Sequence, residues 1–139
     1  VEGIDKVKVN LANCCNPIPN DEIVGYITKG NGISVHRKSC HNLEYLDNRM
    51  INVKWNDNPS GKFLTTIVVY SKTSDKAMID IMQKASSLGI NVDSIKTLNK
   101  LDGITFEMDL YVTGTEQLNK FMNDVMNMKY INNVVRFMK

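Results

Sequence analysis

Residues 56–62 read NDNPSGK, seven consecutive positions without an apolar side chain and with a proline and a glycine among them. A run of turn formers and breakers satisfies its backbone with water and turn geometry, so it marks a join between packed units. It divides the 139 residues into a first unit at 1–57, a linker at 58–62 and a second unit at 63–139. A first unit of that size buries little surface for its length, and it gains from a metal ion or from packing on a neighbour.

The second unit has clear punctuation. Residues 64–70 are rich in β-formers, and Ser74 is an N-cap for a helix whose apolar stripe is Met78, Ile81, Met82, Ala85 and Leu88, ended by Gly89. Residues 90–98 read as extended and Asp102-Gly103 as a turn. Ile104, Phe106, Met108, Leu110 and Val112 then alternate with polar positions, the period of a strand with one buried face. Gly114 and Thr115 start a second helix with Leu118, Phe121, Met122 and Val125 on one side, and residues 131–137 close as a strand. The order βαββαβ predicts a four-stranded antiparallel sheet with both helices on one face, the ferredoxin-like arrangement. Many unrelated functions share that fold.

The first unit concentrates the distinctive chemistry. Its residues 14–40 read CCNPIPNDEIVGYITKGNGISVHRKSC and hold all three cysteines of the chain. Val7, Val9 and Leu11 alternate into this stretch as a short strand. Pro17 and Pro19 bar regular hydrogen bonding, which makes 14–21 an ordered loop. Residues 23–28 and 33–36 form a β-hairpin across Lys29-Gly30-Asn31-Gly32. A short helix follows from Ser39 or Cys40 through Leu46, and residues 50–55 return to a strand with Ile51, Val53 and Trp55 on one face. The whole is therefore α+β, a small β-rich domain followed by a ferredoxin-like one.

His36 and Cys40 are four apart, so a helical turn beginning there would project them from one face toward a soft or borderline metal, zinc first. Cys14 and Cys15 complete a Cys3His set only if the backbone kinks, because adjacent residues of an extended chain point to opposite sides. The plainer alternative is three small, buried, reduced cysteines beside a hydrogen-bonded histidine. A nucleophilic cysteine would need an electropositive, accessible thiolate that spacing does not establish. No GxxxxGK[ST] loop occurs, and GNG at 30–32 lacks a strand-to-helix context, so no catalytic residue is assigned. The eight methionines read mostly as core filler in the helix stripes.

Hydrophobic content of 42% beside 23% charged residues fits a folded globular chain, and no apolar run nears the ~20 residues that span a bilayer. The chain shows no charged-then-apolar leader, and its odd number of cysteines fits a reducing cytoplasm. Residues 1–61 carry seven basic and seven acidic side chains against ten and eight in the remainder. Neither part is a basic nucleic-acid-binding domain, although Lys29, Arg37 and Lys38 can form a small phosphate-contacting patch. Their alternative reading is a solvated face.

The stretch at 14–40 resembles the signature of the small domain near the C-terminus of long RelA/SpoT-type alarmone enzymes: Cys-Cys-x-Pro, Gly-Asp-x-Ile-x-Gly, a Gly-x-Gly hairpin, then His-x3-Cys, followed by an ACT domain of βαββαβ order. The likeness covers nearly the whole chain, with the first motif specific and the second domain matching by pattern. It implies zinc ligands at Cys14, Cys15, His36 and Cys40, and hairpin glycines at Gly30 and Gly32. Asn20 stands where the family has glycine, and asparagine also tolerates left-handed geometry.

The resemblance further implies a parent that transfers pyrophosphate from ATP to GDP or GTP and, if bifunctional, hydrolyses the product. Its catalytic domains would lie upstream. This zinc-finger-like, or ribosome-intersubunit, domain and the ACT domain would be regulatory, docking on the ribosome and ribosomal RNA when deacylated tRNA is present. Two alternatives stay open: an amino-acid effector module and a homodimerisation element. Effector-binding ACT domains place a glycine in the turn after the first strand, where a ligand carboxylate approaches backbone N–H groups. Here SKTSDKAMI at 71–79 has none, and that glycine aligns near Lys76 or Ala77. The expectation is that free amino acids bind weakly or not at all.

Overall fold

The computed structural model describes residues 8–28, 30, 32–45, 49–56, 59–73 and 75–138, with backbone alone for Glu44, Tyr45 and Asp75. Lys29, Leu46, the Ser74 cap and part of the linker lie outside the described residues. Among the described residues no helix is long and apolar enough to cross a membrane.

The first unit is a four-stranded sheet in the order β1-β3-β2-β4. Strands β2 (Ile23–Ile27) and β3 (Ile33–Arg37) pair antiparallel as the hairpin, and β1 (Val9–Leu11) lies parallel to β3 with Leu11 opposite Val35. Alternation along β3 sorts its faces: Ile33 and Val35 pack with Ile23, Val9, Leu11, Ile51, Val53 and Trp55, while Ser34 and His36 face the other way. The closing strand β4 is only Met50–Ile51, shorter than its alternation suggests, although Ile51, Val53 and Trp55 do share the apolar side. The expected helix is a 3₁₀ turn over His41–Tyr45.

The second unit runs β5 (Phe63–Ser71), α1 (Asp75–Ser87), β6 (Asn91–Lys100), β7 (Gly103–Val112), α2 (Thr115–Met126) and β8 (Ile131–Arg136). Sheet order β6-β7-β5-β8 with every neighbour antiparallel is the ferredoxin-like topology. Phe106, Met108, Leu110 and Val112 of β7 meet Leu118, Phe121 and Val125 of α2, all essentially buried. The stripe of α1 keeps Ile81 and Ala85 buried and Met78 and Leu88 packed on the core, but Ala77 is buried with them while Met82 is 40% exposed. Small alanines let α1 approach the sheet closely, which hydrophobicity alone did not favour over methionine. Gly89 (φ 75) ends α1 with the Ile90 N–H bonded to Ala85 O. At Gly103 (φ 153) a Cβ would stand 2.2 Å from Ser71 O, so the β6–β7 turn admits no side chain.

The two units share a core. Ile18, from the proline-flanked loop, is fully buried and belongs to the apolar cluster of the second unit. The next residue extends the join, since Pro19 O accepts the Thr115 N–H (3.0 Å) at the start of α2, where Gly114 offers no side-chain cap. Asp21 accepts both terminal nitrogens of Arg136 (2.8 and 3.1 Å), with side chains only 10% and 13% exposed. Trp55 donates its indole N–H to Asp21 O and meets Phe63 edge-on at 5.7 Å. The loop at 16–21, well ahead of the expected linker, is thus packed into the second unit.

Candidate metal centre

The loop after β1 resolves the difficulty of adjacent cysteines. The Ala12 N–H bonds to Val35 O (2.9 Å), continuing the ladder, and then the chain coils: Asn16 N–H returns to Ala12 O (2.9 Å) and Asn16 takes φ 46. In a coiled turn neighbouring side chains diverge by ~100° rather than ~180°, so both thiols face one point. Asn20, where the family has glycine, takes φ 77 in the turn that brings Asp21 back to Ile18.

His36 and Cys40 do not share a helix face, as their spacing suggested. His36 is on β3, and Cys40 returns toward it through a turn closed by Cys40 N–H to Arg37 O (2.9 Å). The strand persists through Arg37 because it pairs with Ile23. The structure nonetheless brings all four groups together: the Sγ atoms of Cys14, Cys15 and Cys40 and a ring nitrogen of His36 lie within 4.8 Å of one another. Cys14 Sγ is 3.4 Å from His36 Nδ1, 3.5 Å from Cys40 Sγ and 4.0 Å from Cys15 Sγ, and Cys15 Sγ is 3.8 Å from His36 Nδ1. A tetrahedron with M–S of ~2.3 Å and M–N of ~2.05 Å has S···S edges of ~3.8 Å and S···N edges of ~3.6 Å. The observed separations straddle those edges, so the donor set fits one tetrahedral metal.

The surroundings are arranged for ligation. The other histidine nitrogen, Nε2, lies 3.2 Å from Ser34 Oγ, so Nε2–H donating to that hydroxyl leaves the Nδ1 lone pair toward the thiols. Burial lowers the pKa of His36, favouring the neutral imidazole that a metal needs. Cys15 Sγ accepts the Arg37 backbone N–H (3.3 Å), and the Arg37 guanidinium donates to Cys15 O (3.4 Å). Burial pushes the Cys15 thiol up to about 12 against that N–H, and burial likewise raises Cys40 against the Asn42 N–H. Without metal Cys15 and Cys40 therefore stay neutral thiols, and loading the cluster releases their protons.

The other sequence-derived positions fare differently. Arg37 is half-buried against Cys15, and its charge is disfavoured first by burial and then by neighbouring Arg136, while Asp21 opposes both. Lys38 is exposed beyond it. Lys29 lies outside the described residues. The described ends of its turn, Thr28 and Gly32 (N···O 2.8 Å), are at the opposite end of β3 from Arg37, ~13 Å away by strand rise, so Arg37 and Lys38 adjoin the cysteine–histidine cluster rather than the hairpin tip. Gly32 lies close to Lys8 O and Thr28 Oγ1, where a Cβ would be 3.2 Å from each, and Gly30 is open. In the β5–α1 turn Ser71, 1% exposed, donates to Thr73 O (2.7 Å) and accepts its N–H. Ala77 is fully buried core and Lys76 is exposed. Ser34, Asn16 and Arg136 were not singled out from the sequence, and Asp21 only as a turn residue of the motif. Only the isolated Ile18 between two prolines was a visible sign that this loop packs on something.

Comparison with known proteins agrees with this architecture. Residues 1–56 match the RelA/SpoT RIS domain and residues 59–136 match the ACT domain. The chain is 34% identical over 116 residues to a GTP pyrophosphokinase of Streptomyces coelicolor, spanning 78% of this chain and 14% of that protein. It is 31% identical over 140 residues to a bifunctional (p)ppGpp synthase/hydrolase of Mycobacterium tuberculosis, spanning 98% of this chain and 19% of that protein. The crystal structure of the ACT domain from the Chlorobium tepidum GTP pyrophosphokinase is 23% identical with a TM-score of 0.48, covering 55% of this chain and 100% of that one. The chain thus spans less than a fifth of the curated relatives' length. It belongs to the RelA/SpoT family, as a RIS domain followed by an ACT domain that together correspond to the C-terminal region of a long Rel protein.

Proposed function

We propose that this RIS–ACT pair is a regulatory module of a cytoplasmic alarmone enzyme. It docks on the ribosome and its RNA, reads deacylated tRNA as the sign of amino-acid starvation, and sets the activity of catalytic domains elsewhere in the parent chain. The parent would transfer pyrophosphate from ATP to GDP or GTP and, where bifunctional, hydrolyse the product. The observation that carries this reading is the succession of a RIS match and an ACT match in one chain whose relatives are named GTP pyrophosphokinase and (p)ppGpp synthase/hydrolase.

In this reading Cys14, Cys15, His36 and Cys40 hold one zinc ion. Four protein ligands leave no open coordination position, so the ion would supply folding energy to a small unit rather than chemistry. Exposed Lys38 meets phosphate, and Lys29 is assigned to the same RNA surface. Arg37 serves the site's structure through Cys15 O as well as its charge. Packing of Ile18 and Asp21 against the ACT domain supports a relay, since a force on the RIS domain acts on the ACT core without crossing a flexible joint.

Cosedimentation of the chain with ribosomes, with and without deacylated tRNA, tests this. Binding that is strengthened by deacylated tRNA and weakened by salt is expected. Absence of binding under both conditions at low salt refutes it.

A further inference from the structure

We propose that Arg136, in the ACT domain, is a positioning residue for the metal site of the RIS domain; this rests on reading Cys14, Cys15, His36 and Cys40 as one zinc site. Arg136 ends β8, opposite Ile67 of β5, and its guanidinium points into the ligand loop. Nη1 donates to Asp21 Oδ1 (2.8 Å), and Nη2 donates to Asp21 Oδ2 (3.1 Å), to Asn16 O (3.0 Å) and to Thr65 Oγ1 (3.4 Å). Three of those four acceptor atoms belong to the loop that begins at the cysteines.

Asn16 is the residue immediately after Cys15, held in left-handed geometry with its N–H on Ala12 O. Tying its carbonyl to Arg136 fixes the Asn16–Pro17 peptide. This is the next one after the Cys15–Asn16 peptide that Arg37 holds at Cys15 O and Ala12 O holds at the Asn16 N–H, so Arg136 braces the turn that sets the direction in which the Cys15 thiol emerges. Asp21 fixes the other end of the same loop, because Oδ2 also accepts the Ile18 N–H (2.8 Å). The planar fork puts one N–H on each carboxylate oxygen while another reaches the carbonyl; an ammonium, a single point donor on a flexible stem, cannot make that bidentate pair. Among the described residues Nε is buried with no partner, a polar cost offset by the four bonds of the terminal nitrogens. Two residues beyond, Met138 packs on Ala12, Cys15 and Cys40, so the end of the ACT domain lies against the cluster itself. A zinc ion with three thiolates and a neutral imidazole carries net negative charge, and Arg136 and Arg37 are neighbouring cations. Linkage makes the effect reciprocal: whatever factor Arg136 adds to metal affinity, bound metal adds to the docking of the two domains.

Zinc affinity by competition with a chromophoric chelator, and the visible spectrum of the cobalt(II)-substituted chain, test the assignment. Arg136→Gln is expected to weaken zinc by about 10–100-fold and to alter the cobalt bands, with amide exchange in β7 unchanged. Arg136→Lys should fall nearer the glutamine variant than the wild type. If Arg136→Gln does not fold, Asp21→Asn, which keeps the shape and removes the charge, is expected to weaken zinc in the same direction. Wild-type affinity and an unaltered cobalt spectrum in whichever of these variants folds overturn the proposal alone. A wild-type chain that binds neither metal overturns the metal-centre reading and the proposal with it.

Discussion

Replacing Ile18 by alanine probes whether the two domains unfold together. The side chain is fully buried in the ACT cluster although its residue belongs to the RIS domain. The substitution removes three carbons, ~2.4 kcal/mol of transfer free energy at ~0.8 kcal/mol per methylene. The cavity adds to this, and isoleucine-to-alanine changes in cores cost about 2–5 kcal/mol. Prolines on both sides stiffen the loop and limit its collapse into the space, so about 3 kcal/mol is the expected loss. For a chain of this size that lowers Tm by roughly 10 °C. Thermal unfolding followed by the near-ultraviolet signal of Trp55, at the junction, and by far-ultraviolet helix signal should give one transition, shifted as a whole. Ile18→Val, with one carbon removed, should cost about 1 kcal/mol. A helix transition that stays in place while only the Trp55 signal moves would show that the domains melt independently and would refute the shared-core argument.

Other outcomes follow from the same geometry. In chelated protein the Cys15 thiol is pushed up from an ordinary 9.0 to about 12, so the unfolded chain loses that proton first; stability should hold below about pH 8.5 and fall as pH rises toward 12. Tyr130, raised to about 12 by burial and by its bond to Asp80, adds to the fall from about pH 10 upward, and Tyr130→Phe should remove that part of the urea-midpoint decline. Lys38→Ala should weaken ribosome binding with Tm nearly unchanged, whereas Arg37→Ala should lower Tm as well because Cys15 O loses its donor; equal Tm values in the two variants contradict this. Valine, isoleucine and leucine should give no calorimetric binding, since Ser71 fills the β5–α1 turn and Ala77 is core; a dissociation constant well below a millimolar would overturn that and make Lys76 the next residue to change.

The ACT fold was legible because its signals are local. Alternation from Ile104 to Val112, Gly89 after a helix and Asp102-Gly103 between strands each determine their own segment, and the sheet order follows from them. The stripe of α1 departs from the expectation at one edge, where close helix-to-sheet packing buries Ala77 and leaves Met82 exposed, because hydrophobicity alone favours methionine. Cys14, Cys15, His36 and Cys40 were legible as a set of residues that could come together, but not as a geometry. Strand pairing with Val24, continued by Arg37 opposite Ile23, keeps His36 out of the helix that i, i+4 spacing suggests, and a left-handed Asn16 supplies the kink the cysteines require. Asp21 stands in the family motif, but its pairing with Arg136 was invisible, since nothing local marks a contact between residues at opposite ends of the chain.

The claim on which the most depends is that Cys14, Cys15, His36 and Cys40 hold one metal ion. Elemental analysis of the chain purified without chelator, paired with thermal unfolding before and after chelation, tests it directly. The account predicts close to one equivalent of zinc and a lower Tm once it is withdrawn. Metal-free protein whose stability neither zinc nor chelator alters would contradict it.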